Sequence, residues 1–299
     1  MKCVLLALLL ASISSPATSD QFRTDANVVL INATVLGPHD RPVRGLTRDQ
    51  FRIYEDNVEQ RIAYFSEEEV PLSVAVIFDV SGSMEGKLLA MREALDAILK
   101  SSNPDDEVSL ITFADRPQVA FGWSSAPEQI QNRLLQVSAH GQTSLLDALQ
   151  TGLAHMKTAR NSRKALIVFS DGGDNHSRSK EREILRSLAE ADVQIYAIAS
   201  TEAWIFRTRA PEEFLGPDLL DRICDHAGGR YFQVDGKREL QTAAEQIARE
   251  LRSQYLIGYV PAIAAKDGRF HHVRLQVKRP AGLPKASVFW RKGYRAPQD

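Results

Sequence analysis

The chain changes its hydrophobic rhythm twice. From Asn27 to about residue 65, apolar and polar residues alternate with the two-residue period of strands. Val28, Leu30 and residues 33–36 favour a strand, and Gly37-Pro38-His39-Asp40 marks a turn. Phe51-Arg52-Ile53-Tyr54 alternates, Glu55-Asp56-Asn57 can turn, and residues 58–65 alternate again, which predicts a hairpin. Glu67-Glu68-Glu69 and Pro71 then form a polar boundary. Beyond it, β-branched apolar runs alternate with amphipathic segments. The runs at 72–78, 108–113, 165–169 and 193–199 predict strands, with shorter ones at 119–121 and 230–233. Helical spacing falls at 87–99, 145–156, 182–191, 218–227 and 240–251; in the first of these Leu88, Met91, Leu95 and Ile98 share one face. Such alternation predicts an α/β fold, a doubly wound and mainly parallel sheet with helices on both faces. After Leu251 the strand rhythm returns at 255–260, 270–277 and 287–290, with Asp267-Gly268 as a turn.

Neither set of end strands suffices for a stable domain alone. Both ends are therefore expected to pair into one antiparallel β-sandwich, with the α/β domain inserted between them. The expected division is a leader at 1–19, an N-terminal part of the sandwich at 20–70, the α/β domain at 71–255 and a C-terminal part of the sandwich at 256–299.

Composition narrows this picture. Of 299 residues, 43% are hydrophobic and 25% charged, which fits a folded protein and not a disordered one. The 37 Lys and Arg against 38 Asp and Glu leave a net charge of -1, so no global field points to nucleic acid. The basic residues crowd the tail, including Arg274, Lys278, Arg291, Lys292 and Arg295; they read as solvated strand faces or as a face for an anionic polymer or membrane. Lys2, the apolar run from Val4 through Ile13, the breakers Ser14-Ser15-Pro16 and the small residues Ala17-Thr18-Ser19 have the pattern of a secretory signal cut near Ser19. A retained anchor or a buried strand is the alternative. The leader implies an exported protein, periplasmic or secreted, with no transmembrane segment after its removal. Cys3 would leave with the leader, and Cys224 sits in a helical pattern as a small buried apolar residue.

Candidate chemistry concentrates where strands end. Phe78-Asp79-Val80-Ser81-Gly82-Ser83 places a carboxylate and two hydroxyls around one tight turn. Hard oxygen donors of this kind suit Mg2+, with Mn2+ or Ca2+ as alternatives; the competing explanation is that Ser81 or Ser83 caps the next helix. Gly141-Gln142-Thr143-Ser144 offers another hydroxyl before a helix, and Phe169-Ser170-Asp171-Gly172-Gly173-Asp174 ends a strand with a carboxylate. In a doubly wound sheet all three loops belong to the same edge. No Gly-x-x-x-x-Gly-Lys-Ser/Thr run and no Gly-x-Ser-x-Gly occurs, and His140, His155 and His176 lack zinc spacing, so the chain reads as a non-enzyme.

On these motifs, residues 72–255 resemble a von Willebrand factor type A domain with a metal-ion-dependent adhesion site. The resemblance implies Asp79, Ser81, Ser83, Thr143 and Asp171 as metal ligands. The wider chain is similar to the bacterial family of VWFA-related secreted proteins best known from Acidobacteria, through stretches such as Arg41-Pro42-Val43-Arg44-Gly45-Leu46-Thr47 and Ser253-Gln254-Tyr255-Leu256-Ile257-Gly258-Tyr259. That wider resemblance supports the shared architecture and supplies no ligand; the type A resemblance, with the leader, implies an exported interaction module whose metal is completed by an Asp or Glu carboxylate of a partner protein. The alternative is a structural or assembly protein of the cell envelope whose metal only stabilises the loops. Gly82, His140, Gln142, Asp147 and Asp174 flank the expected ligands as contact or supporting residues. Trp204, Phe206 and Arg207, in the long stretch 200–217, are candidate interface anchors.

Overall fold

The computed structural model describes residues 28–171, 173–200, 216–262, 267–278 and 286–298. Strands β1 (Val29–Leu36), β2 (Phe51–Glu55), β3 (Val58–Gln60) and β4 (Ile62–Ser66) come first. The α/β block follows as β5 (Leu72–Asp79), α1 (Leu88–Leu99), β6 (Glu107–Phe113), β7 (Pro117–Ser124), α2 (Pro127–Leu134), α3 (Leu145–His155), β8 (Arg163–Ser170), α4 (Glu181–Glu190), β9 (Gln194–Ser200), α5 (Gly216–Ala227), β10 (Tyr231–Val234) and α6 (Lys237–Leu251). The remaining strands are β11 (Gln254–Tyr259), β12 (Phe270–Val277), β13 (Ser287–Trp290) and β14 (Gly293–Arg295). The leader and the candidates Trp204, Phe206 and Arg207 lie outside the described residues.

The central sheet has the order β10-β9-β8-β5-β6-β7. All neighbours are parallel except the edge strand β7, which runs antiparallel to β6. The central strands β5 and β8 are near-continuous apolar runs because both faces are covered, while the edge strand β7 is largely unburied. Val74, Val76 and Phe78 of β5 pack with α1, α2 and α6, while Ala75 and Ile77 pack with α3, α4 and α5. The chain winds one way from β5 to β6 and the other way to β8. The C-terminal end of β5, at Asp79, is therefore the point where the strand order reverses, the usual place for a ligand crevice in such sheets.

The two chain ends meet as the rhythm predicts. One antiparallel sheet has the order β13-β1-β11-β4 and the other β14-β12-β2-β3, so each combines strands from both termini. Ile31, Val35, Phe51, Ile53, Tyr255, Ile257 and Leu275 form their common core. The sandwich docks on the N-terminal ends of the parallel strands. Arg163, first in β8, donates to the Leu251 carbonyl at 2.7 Å and to Gln254 Oε1 at 2.6 Å. Gln254 Nε2 donates in turn to Gln194 Oε1, first in β9, at 2.8 Å and to Thr34 Oγ1 at 3.3 Å. The opposite edge, where Asp79 lies, is left free of the sandwich.

Periodicity does not reveal every element. The alternation over 58–65 is two strands: β3 pairs with β2, whereas β4 pairs with β11 in the other sheet. Helix α2 and strand β14 are also absent from the sequence reading; α2 buries only Ile130 and Leu134, too few positions to make a periodic signal. Part of the basic tail faces the α/β block, while Arg274 lies over the Tyr54 ring of β2. Arg291, Lys292 and Arg295 lie 3.5, 2.9 and 3.6 Å from Asp192, Asp225 and Glu190. Cys224 is fully buried in α5, and burial pushes its thiol pKa up.

His271 of β12 gathers acidic partners at the edge of its own sheet. Its Nδ1 is 2.8 Å from Asp56 Oδ2, its Nε2 is 3.3 Å from Asp267 Oδ1, and Glu55 is 3.7 Å away. Burial works against protonation, but hydrogen bonds to Asp56 and Asp267 and the charges of Asp56 and Glu55 outweigh it, so the pKa is raised. A raised folded-state pKa stabilises the fold below the unfolded value near 6.5, and that stability is lost as pH rises through the higher folded value. The melting-temperature advantage of wild type over His271→Gln should therefore shrink steadily between pH 6 and pH 9. A gap that stays constant would show that the imidazolium contributes nothing.

Candidate metal centre

Asp79 ends β5 with no solvent exposure. Its Oδ1 accepts the Ser81 amide at 2.8 Å, and its Oδ2 accepts the Ser170 hydroxyl of neighbouring β8 at 2.6 Å. Burial raises its pKa, the Asp171 carboxylate raises it further, and the bonds from Ser170 and Ser81 pull the other way. Ser81 is buried, with Oγ 3.0 Å from the Ser83 hydroxyl across a short 3-10 turn at Gly82–Met84.

Thr143 reaches the same edge because its loop is zipped to this turn. The Gly82 amide donates to the Gly141 carbonyl at 3.0 Å and the His140 amide to the Val80 carbonyl at 2.8 Å. A Cβ on Gly82 would lie 3.3 Å from that Gly141 oxygen, so a glycine lets the two loops close. Thr143 is buried, and its amide donates to Asn175 Oδ1 at 3.0 Å. Asp171, also buried, follows Ser170 directly and lies with Oδ2 3.2 Å from Lys87 Nζ. The loops carrying Asp79, Ser81, Ser83, Thr143 and Asp171 thus meet at the switch point of the sheet.

The flanking candidates hold loops. Asp174 Oδ1 accepts the Leu145 amide at 3.1 Å and the Ser177 hydroxyl at 2.7 Å, capping α3, and burial raises its pKa. Asp147 accepts the Arg178 amide at 3.1 Å and the Ser179 amide at 2.8 Å. Burial pushes the Asp147 pKa up, yet the bonds from Ser179 and Arg178 prevail and the net shift is downward. Asp147→Ala should cost about 1–2 kcal/mol in urea unfolding, because it strips the loop before α4 of its acceptor. An unchanged midpoint would assign that loop's order to other contacts. His140 and Gln142 are exposed: His140 Nδ1 sits 3.0 Å from the Ser138 carbonyl, and the Gln142 amide donates to Asp115 Oδ1 at 2.8 Å. Next to this edge lies a groove of about 350 Å³ lined by Asp115, Arg116, Asp147, His176 and Arg178, among others.

The donor set fits a hard divalent ion. It consists of carboxylate and hydroxyl oxygens, and the buried Asp79 is held by an amide and a hydroxyl, both uncharged. Among the described residues there is no group of three or more His, Cys, Asp or Glu able to hold a metal, so the candidate centre depends on its hydroxyls. Sequence reasoning missed Lys87, Ser170 and Asp115. For Lys87 a signal existed, since a cation beside a helix N-terminus opposes the helix dipole.

Residues 74–173 match the family model described as the von Willebrand factor type A domain. Inter-alpha-trypsin inhibitor heavy chain H3 of Bos taurus is 30% identical over 138 residues, which is 41% of this chain and 15% of that protein. The chain thus spans only a small part of that relative's length. A structure titled von Willebrand factor type A from Catenulispora acidiphila covers 93% of this chain and 75% of its own, with a TM-score of 0.53 and 12% identity. Proximal thread matrix protein 1 from the mussel byssus covers 66% of this chain and 50% of its own, with a TM-score of 0.51 and 18% identity. At those identities the two structures speak for the fold alone. Among the described residues no helix is long and apolar enough to cross a membrane. Within the α/β block, residues 74–173 are thus similar to the von Willebrand factor type A domain, a type of domain that commonly serves as a protein-interaction module.

Proposed function

We propose that this chain is an exported, non-enzymatic interaction module that binds a partner protein through a divalent ion. Asp79, Ser81, Ser83, Thr143 and Asp171 would hold the ion, Mg2+ in the first instance. When bound, the ion supplies a Lewis-acid position for a carboxylate oxygen from outside. The observation that carries the reading is the buried Asp79 carboxylate, set beside the Ser81–Ser83 hydroxyl pair on the sheet edge that the sandwich leaves free.

This chain's residues do the positioning. Ser170 and the Ser81 amide fix both Asp79 oxygens, and the Gly82–Gly141 bond keeps the Thr143 loop against the serine turn. Two carboxylates formally balance a divalent ion, and the Lys87 ammonium beside Asp171 then leaves one positive charge in the cluster, which favours an acidic partner group.

Isothermal titration with Mg2+ should give heat of binding for wild type and none for Asp79→Ala. Capture of partners from an envelope extract should succeed in Mg2+ and fail in EDTA. Equal recovery under both conditions would leave the sandwich as the contact surface and favour an envelope assembly role.

A further inference from the structure

Lys87 is placed where ordinary helix stability would not put it. It immediately precedes α1, and a positive charge there opposes the helix dipole. Its side chain is only 6% exposed, and burying an ammonium is costly unless it is paired. Gly86 brings it there. Its φ of +86° is a left-handed conformation suited to glycine, and it turns the chain back after the Gly82–Met84 turn. The Lys87 amide then donates to the Met84 carbonyl, and the Met91 amide to the Lys87 carbonyl, each at 3.0 Å. The ammonium meets Asp171 Oδ2 at 3.2 Å, with the Asp171 side chain 9% exposed. Among the described residues Lys87 Nζ has no second hydrogen-bond partner. The cluster therefore carries the carboxylates of Asp79 and Asp171 against one tethered cation. A residue that breaks a local rule at a candidate site asks for a role at that site.

Resting on the metal-site reading above, we infer that Lys87 is a tethered counter-cation that competes with the divalent ion for Asp171. In the metal-free protein it keeps the Asp171 carboxylate paired and the loops closed. When a divalent ion enters, ammonium and ion draw on the same carboxylate and repel each other. Lys87 thus lowers the affinity of the centre and keeps its ion exchangeable, so that local Mg2+ concentration governs partner binding.

The test is titration of the full chain with Mg2+ and Mn2+, together with thermal melts in EDTA and in Mg2+. Lys87→Met keeps the length of the side chain and removes its charge. It should bind Mg2+ at least about tenfold tighter, the scale on which a neighbouring charge within ~4–6 Å acts. Its melting temperature should fall in EDTA, and its gain on adding Mg2+ should exceed that of wild type. Lys87→Arg should stay close to wild type in affinity. A folded Lys87→Met protein with equal or weaker Mg2+ affinity overturns the inference. Should Lys87→Met fail to fold, Lys87→Gln is read by the same criterion. Mg2+ binding by wild type with no gain in the variants leaves the metal reading standing and removes only the competition. Absence of binding in every protein, Lys87→Met included, removes both.

Discussion

Asp79→Asn is expected to abolish Mg2+ binding and, at the same time, to make the metal-free protein more stable. Asp79 is fully buried, and the hydrogen bonds to its two oxygens come from a neutral amide and a neutral hydroxyl. Lys87, the buried cation on this edge, is engaged with Asp171. A buried carboxylate in that position costs free energy in the absence of a counter-ion. An asparagine side chain would keep an oxygen for the Ser81 amide and present its NH2 group to the Ser170 hydroxyl, which can accept as well as donate. The charge disappears while the hydrogen bonds survive. A gain of about 1 kcal/mol, or roughly 2–4 °C in melting temperature, is expected in EDTA. In Mg2+ the order should reverse, because ligand binding stabilises only the protein that still binds. Melts of both proteins in both buffers therefore form a cross. If Asp79→Asn is less stable in EDTA, the carboxylate is there as a structural acceptor, and its cost is not held in reserve for an ion.

Much of the fold can be read from hydrophobic period, because burial on two faces, on one face or on a helical stripe each leaves a different repeat. The run at 72–78 predicts β5 as a strand covered on both sides, and Val76 and Ile77 do pack against opposite helix layers. Period is blind to which sheet a strand joins. Gln60 and Ile62 stay buried between exposed neighbours while the chain crosses from β2 to β11, since both sheets face one core, and a register shift opposite Gly258 then lets Phe65 pack there as well. The same limit applies at the candidate site. Asp79, Ser81 and Ser83 are close in sequence and legible as a motif, and topology supplies Thr143 and Asp171. The Ser170 hydroxyl on Asp79 and the Lys87 ammonium on Asp171 are contacts between separate loops, set by the register of β5 against β8 and by the turn at Gly86. Asp147 and Asp174 read in sequence only as contact or supporting residues, because a carboxylate in such a loop can face a ligand or hold the loop; their hydrogen-bond partners show the second use.

A large loss of stability without any change at the candidate centre is expected from Gly228→Ala. Gly228 follows α5 with φ of +77°, a conformation that costs an L-residue about 1–2 kcal/mol. Its added Cβ would also lie 2.3 Å from Arg291 N and from Trp290 C, backbone atoms of the sandwich. Neither can give way freely. The neighbouring Lys292 amide is bonded to the His226 carbonyl at 3.1 Å, and the Gly228 carbonyl accepts from Gln194 Nε2 at 3.2 Å. Overpacking of this kind adds about 1–3 kcal/mol, so a total loss near 3–4 kcal/mol is expected. Gly45→Ala separates the two contributions. Gly45 has the same φ of +77° but nothing within 4 Å of the added Cβ, so it should lose only the conformational share. The difference between the two urea midpoints then measures how tightly the sandwich is seated on the α/β block. Equal losses would mean that the 228–291 contact gives way in solution. Because the candidate centre lies on the opposite edge of the sheet, Mg2+ affinity of folded Gly228→Ala should match wild type. A parallel loss of Mg2+ binding would instead reveal that the seating of the sandwich is transmitted along β9 and β8 to Asp171.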